Sequence, residues 1–341
     1  MIWLTLRDLR WRARRVVLGV LATASVLAMT LLLGAVHDAF LAETTRTVAF
    51  FGGTTWVVPT GVAGPFTTNS PVPADPAPVG GTPVAIFRHV VVRDGAPSDV
   101  NVIAYRPGGV VSPDPVLGSA PRGPGEVAVD ETLGAHLGER LTLAGRELEV
   151  VGVLRGLTYN GGTPAVVVTL DEGQQVAFDG RDLAGAFVVE GTPASVPDGF
   201  TTMTAAKVSD DMRRPLEVAT RTLALLSALL WVVAAGIVGF VCYVSGLDRR
   251  RDVAVLKSIG VPTWRLVGGV ALEGVLLAVA AAGIAVVAAV VLVPLFPLPV
   301  GVTVGQCAAA LGVAVVIGVV AGAASVRQVV TTDPALAFAS T

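Results

Sequence analysis

Few residues in this 341-residue chain could do covalent chemistry, and their spacing argues against the common reactions. The only lysines are Lys207 and Lys257. A phosphate-cradling loop needs Gly-Lys-Ser/Thr so that the lysine reaches the phosphates. Here Lys207 follows Ala206 and Lys257 follows Leu256, so no such loop exists. The histidines His37, His89 and His136 are far apart and form no His-x-x-x-His pair. Cys242 and Cys307 lie in apolar runs without CxxC spacing and read as small buried hydrophobes. These residues suggest no catalytic group, no bound cofactor and no metal ligand in this chain. One carboxylate does stand inside an apolar run: Glu273. A carboxylate within a membrane span is costly and is a functional candidate. The plainer reading puts it near the membrane interface, paired with Arg265 or with neighbouring backbone.

The second candidate is a stretch, residues 248–265. Val253, Leu256 and Ile259 recur at helical spacing, and Gly260 followed by Pro262 is a helix stop. This predicts a short amphipathic helix with one apolar side and basic flanks. It could be a topogenic helix lying at the membrane interface. It could equally dock a cytoplasmic partner, with Val255, Leu256 and Ile259 as anchors in a groove.

The elements that must position these residues are membrane spans. The chain is 53% hydrophobic and 15% charged, where soluble domains are nearer a quarter charged. Its mean hydropathy is +0.71. Four spans are expected: 16–36, 216–247 (a stalk leading into an apolar run), 266–295 and 302–326. Arg14 and Arg15 before the first run raise the alternative of a secretory signal. That run is longer than the roughly 7–15 apolar residues such signals carry. Arg7, Arg10, Arg12, Arg14 and Arg15 precede the first span, Arg249, Arg250, Arg251, Lys257 and Arg265 lie in the 248–265 loop, and Arg327 follows the fourth. Short positive segments stay in the cytoplasm. Both termini (1–15 and 327–341) and the 248–265 loop are therefore expected inside, with residues 37–215 outside.

The outer segment is net acidic, with 20 acidic and 12 basic residues, and has no cysteine. Residues 50–81 read as irregular loops with short strands, and 71–81 as a flexible excursion. Strands are expected at 126–129, 164–170 and 186–190. Asp130 is placed to cap a helix running to His136, with Gly138 ending it. Residues 141–144 and 147–154 should pair as a hairpin about Gly145-Arg146, a type II′ turn. Residues 204–221 have helical character and run directly into the second span. The fold class is thus membrane α-helical, four transmembrane helices, with an α+β extracytoplasmic domain between helices 1 and 2.

The 248–265 loop resembles the signature of FtsX/MacB-type ABC transporter permeases, in which E-R-x-R-E-I-G-x-L-(K/R)-A-(L/I)-G follows the second span. Asp248 and Asp252 stand where that pattern has Glu; Val253, Leu256, Lys257, Ile259 and Gly260 match; Ala254 departs from Gly. Glu273-Gly274 and the segment 332–336 (Thr-Asp-Pro-Ala-Leu) resemble further features of the family. Residues 125–154 resemble the MacB-type periplasmic core. The resemblance implies a stand-alone permease subunit of the bacterial cytoplasmic membrane, working as a dimer with a second copy or homologue. A separate cytoplasmic ABC ATPase dimer would bind ATP and Mg and dock on Asp252, Val253, Val255, Leu256, Lys257, Ile259 and Gly260. Its closure would move the outer domain, for export or extraction of an amphiphilic or envelope substrate. An alternative is FtsX-like activation of an extracytoplasmic cell-wall hydrolase without transport. Membrane lipid and an extracytoplasmic protein are further expected partners; nucleic acid is not.

Overall fold

Between Gly34 and Gly52 the chain has neither glycine nor proline, and its first helix does not stop where the apolar run stops. In the computed structural model, which describes residues 13–68, 70–75, 79–193, 195–248, 260, 262–295 and 301–331, helix α1 spans Ala13–Phe50. At 1.5 Å per residue it is about 57 Å long, against a bilayer core of about 30 Å. Two short helices follow, α2 (Leu170–Ala177) and α3 (Ala205–Arg213). A 3-10 turn at Arg214–Leu216, containing Pro215, joins α3 to α4 (Glu217–Asp248). The remaining described helices are α5 (Thr263–Leu292) and α6 (Val304–Thr331).

By length and composition, three stretches of described helix can cross a membrane: Val17–Phe50, Ala205–Val244 and Ala271–Leu292. The described apolar run of α6, Val304–Val320, is shorter. The architecture is therefore an N-terminal span, an α+β domain, and then a helical membrane region, with three or four spans in all. The chain forms two compact units. The helical unit takes residues up to Asp38 and from Thr220 onward, and the inserted unit is Ala39–Ala219.

In the helical unit, small residues fill the buried faces. Helix α1 buries Ala24, Leu27, Ala28, Leu31 and Leu32, the positions of one helical face. Helix α5 buries Ala278, Ala281, Ala282, Ala285 and Ala289. Lipid gives helices no hydrophobic reason to associate, so close backbone approach through small side chains takes over. The approach is tight between α5 and α6, where a Cβ added at Gly318 would lie 2.7 Å from the Gly274 carbonyl oxygen. A Cβ at Gly301 would meet no described atom within 4 Å, and one at Gly305 only Thr303 Oγ1 at 3.9 Å. Helix α6 opens with a reciprocal cap. Thr303 N–H donates to Gln306 Oε1 at 3.0 Å, and Gln306 N–H donates to Thr303 Oγ1 at 3.2 Å. Gln306 Nε2 also donates to Asp38 of α1 at 2.7 Å.

The inserted unit is built on a large mixed sheet. Its described strands are β1 (Thr55–Pro59), β2 (Val72–Pro73), β3 (Thr82–Arg93), β4 (Ala96–Tyr105), β5 (Leu117–Gly118), β6 (Glu126–Asp130), β7 (Arg140–Leu143), β8 (Arg146–Leu154), β9 (Thr158–Tyr159), β10 (Thr163–Thr169), β11 (Leu183–Ala184), β12 (Ala186–Val189) and β13 (Phe200–Thr204). The main order is β13-β1-β12-β3-β4-β10-β6-β8-β5. The β4–β10 and β6–β8 pairs are parallel and the others antiparallel. Strand β7 pairs with both β8 and β3, so β3-β4-β10-β6-β8-β7 closes on itself. Side chains alternate across the strands and serve two cores. Ile103, Tyr105 and Val167 face one core with Phe51, Trp56 and Tyr159. Val102, Val166 and Val168 face the other with Leu141, Leu143 and Phe178. Buried Glu172 of α2 accepts the Gly125 N–H at 3.1 Å and pairs with the Arg146 guanidinium, fastening the β7–β8 hairpin to α2.

Three local expectations change. The hairpin loop is Ala144-Gly145, with Leu143 opposite Arg146. Both loop residues have positive φ, 50° and 78°, which is the type I′ pattern and not II′. Asp130 does cap, accepting the Thr132 N–H at 3.0 Å, but the helix is one 3-10 turn, Glu131–Leu133. Gly134 ends it at φ 70°, before His136 is reached. The longest strands, β3 and β4, were not anticipated. They are joined by Asp94-Gly95, at φ 48° and 78°, a strong hairpin signal once both flanks are read as strands.

Candidate functional site

Of the docking residues expected from sequence, Asp252, Val253, Val255, Leu256, Lys257 and Ile259 lie outside the described residues. So do Arg7, Arg10, Arg12, Arg249, Arg250, Arg251 and the segment 332–336. Gly260 is described: it is exposed and has a φ of 89°, a conformation that favours glycine. Pro262 follows in extended geometry as the residue capping α5. Val261, between them, lies outside the described residues.

Glu273 lies in the third turn of α5 and is 2% exposed. It shares the buried stripe of α5 with Leu277 and Ala281, each one turn further on. Leu277 packs with Val238, Val241 and Cys242 of α4. The neighbouring Gly274 brings α6 to backbone distance, and a Cβ there would also come within 3.3 Å of Cys242 Sγ. Glu273 thus belongs to the interior of the helical unit and not to its surface.

A site that the sequence reading missed is the joint between helices and sheet in the inserted unit. After Asp38, α1 buries one face, Glu43, Thr44, Thr47 and Val48, followed by Phe51. Glu43 accepts the Gly161 N–H at 3.3 Å and the Gly162 N–H at 2.7 Å. Thr47 Oγ1 donates to the Thr158 carbonyl at 2.7 Å. The gripped loop is unusual. Asn160, Gly161 and Gly162 all have positive φ, at 62°, 83° and 86°, so two consecutive N–H groups can converge on one carboxylate.

Helix α3 makes a similar grip. Asp211, 1% exposed, accepts the N–H groups of Phe66 at 3.1 Å and Thr67 at 3.3 Å, and the Thr67 hydroxyl. A Cβ at Gly64 would collide with this carboxylate, so glycine is required there. Each buried carboxylate is satisfied by charge-assisted hydrogen bonds, without which its burial would cost several kcal/mol. The two gripped loops meet through an edge-to-face stack of Phe66 on Tyr159, with ring centroids 5.3 Å apart. Phe66 also stacks on Phe51 at 5.9 Å. Burial pushes the Tyr159 phenol above its ordinary range, with the nearby Arg88 opposing. The ring therefore stays neutral at physiological pH.

A cleft of about 620 Å³ lies beside β5, lined among others by Val116, Leu117, Ala135, Leu137 and Val153, with the Glu131–Arg155 ion pair at 3.2 Å. Its lining is mainly apolar and holds no nucleophile beside a base. Among the described residues, no group of three or more His, Cys, Asp or Glu is placed to hold a metal.

Comparison with known proteins places the chain. The family model described as "FtsX-like permease C-terminal" matches residues 224–334, which takes in α4, α5 and α6. An uncharacterized ABC transporter permease of Mycobacterium bovis is 37% identical over 346 residues, covering 99% of each chain. A second permease so described, of Mycobacterium tuberculosis, is 36% identical over 346 residues, again covering 99% of each. Among solved structures, the extracellular domain of the noncanonic ABC-type transporter YknZ from Gram-positive bacteria covers 45% of this chain and 99% of its own, at 12% identity and a TM-score of 0.32. The periplasmic region of MacB from Actinobacillus actinomycetemcomitans covers 51% of this chain and 98% of its own, at 12% identity and a TM-score of 0.36. The identity over the whole length carries the assignment: the chain belongs to the FtsX-like family of ABC transporter permeases.

Proposed function

We propose that this permease subunit couples ATP hydrolysis by a separate cytoplasmic ATPase dimer to movement of its inserted domain, extracting or exporting an amphiphilic or envelope substrate. In this reading residues 1–15 and 327–341 are cytoplasmic, and 16–36, 216–247, 266–295 and 302–326 cross the membrane. Residues 37–215 lie outside, and two permease copies work together. The ATPase docks on the helix of 248–265 through Val255, Leu256 and Ile259, with Asp252, Val253, Lys257 and Gly260 shaping it. ATP and Mg are bound by the partner and not by this chain.

The observation that carries the reading is the continuity of the bordering helices. Helix α1 runs unbroken to Phe50, and residues 205–248 are helical throughout, with one 3-10 step. A continuous helix is stiff along its axis, because each added turn is held by its own hydrogen bonds. Displacement at one end is thus carried to the other without an intervening loop.

The test uses the assembled complex in nanodiscs. The chain alone should not hydrolyse ATP, and adding the ATPase subunit should bring hydrolysis. Spin labels at Glu147→Cys in both permease copies, after Cys242→Ser and Cys307→Ser, should change separation when ATP and Mg are added. An unchanged separation during sustained hydrolysis would defeat the proposal.

Glu273 gives a second check. Glu273→Gln keeps the shape of a buried side chain while exchanging one carboxyl oxygen for an amide NH2. The variant is expected to fold, assemble and support hydrolysis at the parent rate. Loss of coupled hydrolysis in an intact complex would move Glu273 from packing to mechanism.

A further inference from the structure

Four carboxylates are buried among the described residues of the inserted unit, Glu43, Asp130, Glu172 and Asp211, and two of them fasten different loops to its bordering helices. Glu43 of α1 grips Gly161 and Gly162. Asp211 of α3 grips Phe66 and Thr67. The loops do not merely lie near these helices, because each is fastened at two N–H groups. They are also fastened to each other. Tyr159 directly precedes the Asn160-Gly161-Gly162 turn, and its ring meets Phe66, the first residue gripped by Asp211. Tyr159 is further fixed by its own carbonyl, which accepts from Asn101 Nδ2 at 3.0 Å, and its neighbour Thr158 is held by Thr47. A continuous path of contacts therefore runs Glu43, Gly161-Gly162, Tyr159, Phe66, Asp211.

We infer that this path is a relay that locks the α1 extension to α3, with Glu43 and Asp211 as positioning residues at its two ends. The carboxylates are directional anchors, since two N–H groups converge on each. The turn that Glu43 holds is only the three residues 160–162 between β9 and β10, and the longer 60–71 loop is pinned by Asp211 at Phe66 and Thr67. The aromatic contact sets half-buried Phe66 on buried Tyr159, so separating the rings would expose apolar surface to water. A shift of α1 along its axis then drags the 158–162 loop, presses Tyr159 on Phe66, and loads α3 through Asp211. The consequence for transport rests on the proposed function: the two helices bordering the domain move as one, and the domain is not peeled open between them.

The experiment reads the relay without reference to ATP. Peptide-resolved amide hydrogen exchange is measured on the full chain in nanodiscs. Glu43→Gln should speed exchange at Gly161 and Gly162 by about tenfold, the loss expected when a charge-assisted bond becomes neutral. It should also speed exchange at Phe66 and Thr67, which Glu43 does not touch. Asp211→Asn should do the reverse, loosening Gly161 and Gly162. Phe66→Leu should keep both local grips and abolish the crosstalk, while Tyr159→Phe, which keeps the stacked ring, should preserve it. Effects confined to each carboxylate's own loop would overturn the relay, whatever the complex does with ATP. Where a carboxylate variant fails to fold, the Phe66→Leu and Tyr159→Phe pair still decides. Joint protection of the two loops that is equal in both would overturn the relay. Crosstalk without ATP-driven domain movement would instead leave the relay standing and remove the proposed function.

Discussion

Replacing Leu256 and Ile259 together by aspartate is expected to weaken capture of the cytoplasmic ATPase by at least about 100-fold while leaving the permease in the membrane. Each buried aliphatic side chain contributes about 1.5–3 kcal/mol when removed from water. Losing two anchors therefore removes about 3–6 kcal/mol, and each 1.4 kcal/mol is a factor of ten in Kd. Aspartate adds the cost of burying an unpaired charge, so the estimate is a lower bound. The basic residues Arg249, Arg250 and Arg251 remain, so the topology signal is untouched. The measurement is a titration of labelled ATPase onto permease in nanodiscs, with alkaline extraction of membranes to verify insertion. An unchanged Kd would leave the 248–265 stretch as a topogenic interfacial helix.

Gly318→Val is expected to lower the amount of folded permease in the membrane more than the same change at Gly305 or Gly312 of α6. A Cβ at Gly318 would lie 2.7 Å from the Gly274 carbonyl oxygen and from the Val275 N and Cα. These are backbone atoms, which cannot rotate aside, so α5 and α6 must move apart. Overpacking costs about 1–3 kcal/mol in a well-packed interior, and two branched methyls against backbone belong at the upper end. Separation would also disturb the turn that holds Glu273, whose neighbour Gly274 makes the opposing contact. Gly312→Ala serves as the control, because a Cβ there meets no described atom within 4 Å. Thermal unfolding followed by size exclusion in detergent separates the two. Equal midpoints for both variants would show that the α5–α6 contact does not carry the stability assigned to it.

The two predictions differ in how far residue order alone supports them. The docking stretch rests on local information alone: Val253, Leu256 and Ile259 fall at helical spacing, with Gly260 and Pro262 placed to stop a helix, and residues 249–259 lie outside the described residues. The apolar runs were legible because a span is a matter of consecutive residues and bilayer thickness. The extent of α1 was not. Polarity rises after Val36, yet nothing between Gly34 and Gly52 breaks a helix, and the polar residues Glu43 and Thr47 find partners in the folded domain. The β3–β4 hairpin carried its Asp94-Gly95 signal in plain view, so that omission was one of reading and not of information.

Gly301 and Gly318 look alike in sequence, each opening a Gly-x-x-x-Gly pattern, but only Gly318 faces another backbone among the described atoms. Glu43 and Asp211 make the same point more sharply. Glu43 binds residues 118 and 119 positions away, and Asp211 binds residues 144 and 145 positions away. No spacing rule connects them, because partners so distant are brought together by the packing of the whole sheet. Local patterns therefore settled the membrane class and the inserted α+β domain. Which carboxylates are buried, which glycines touch backbone, and how the helices grip the sheet were settled by long-range closure, where a group's energy depends on neighbours that the chain supplies only after it has folded.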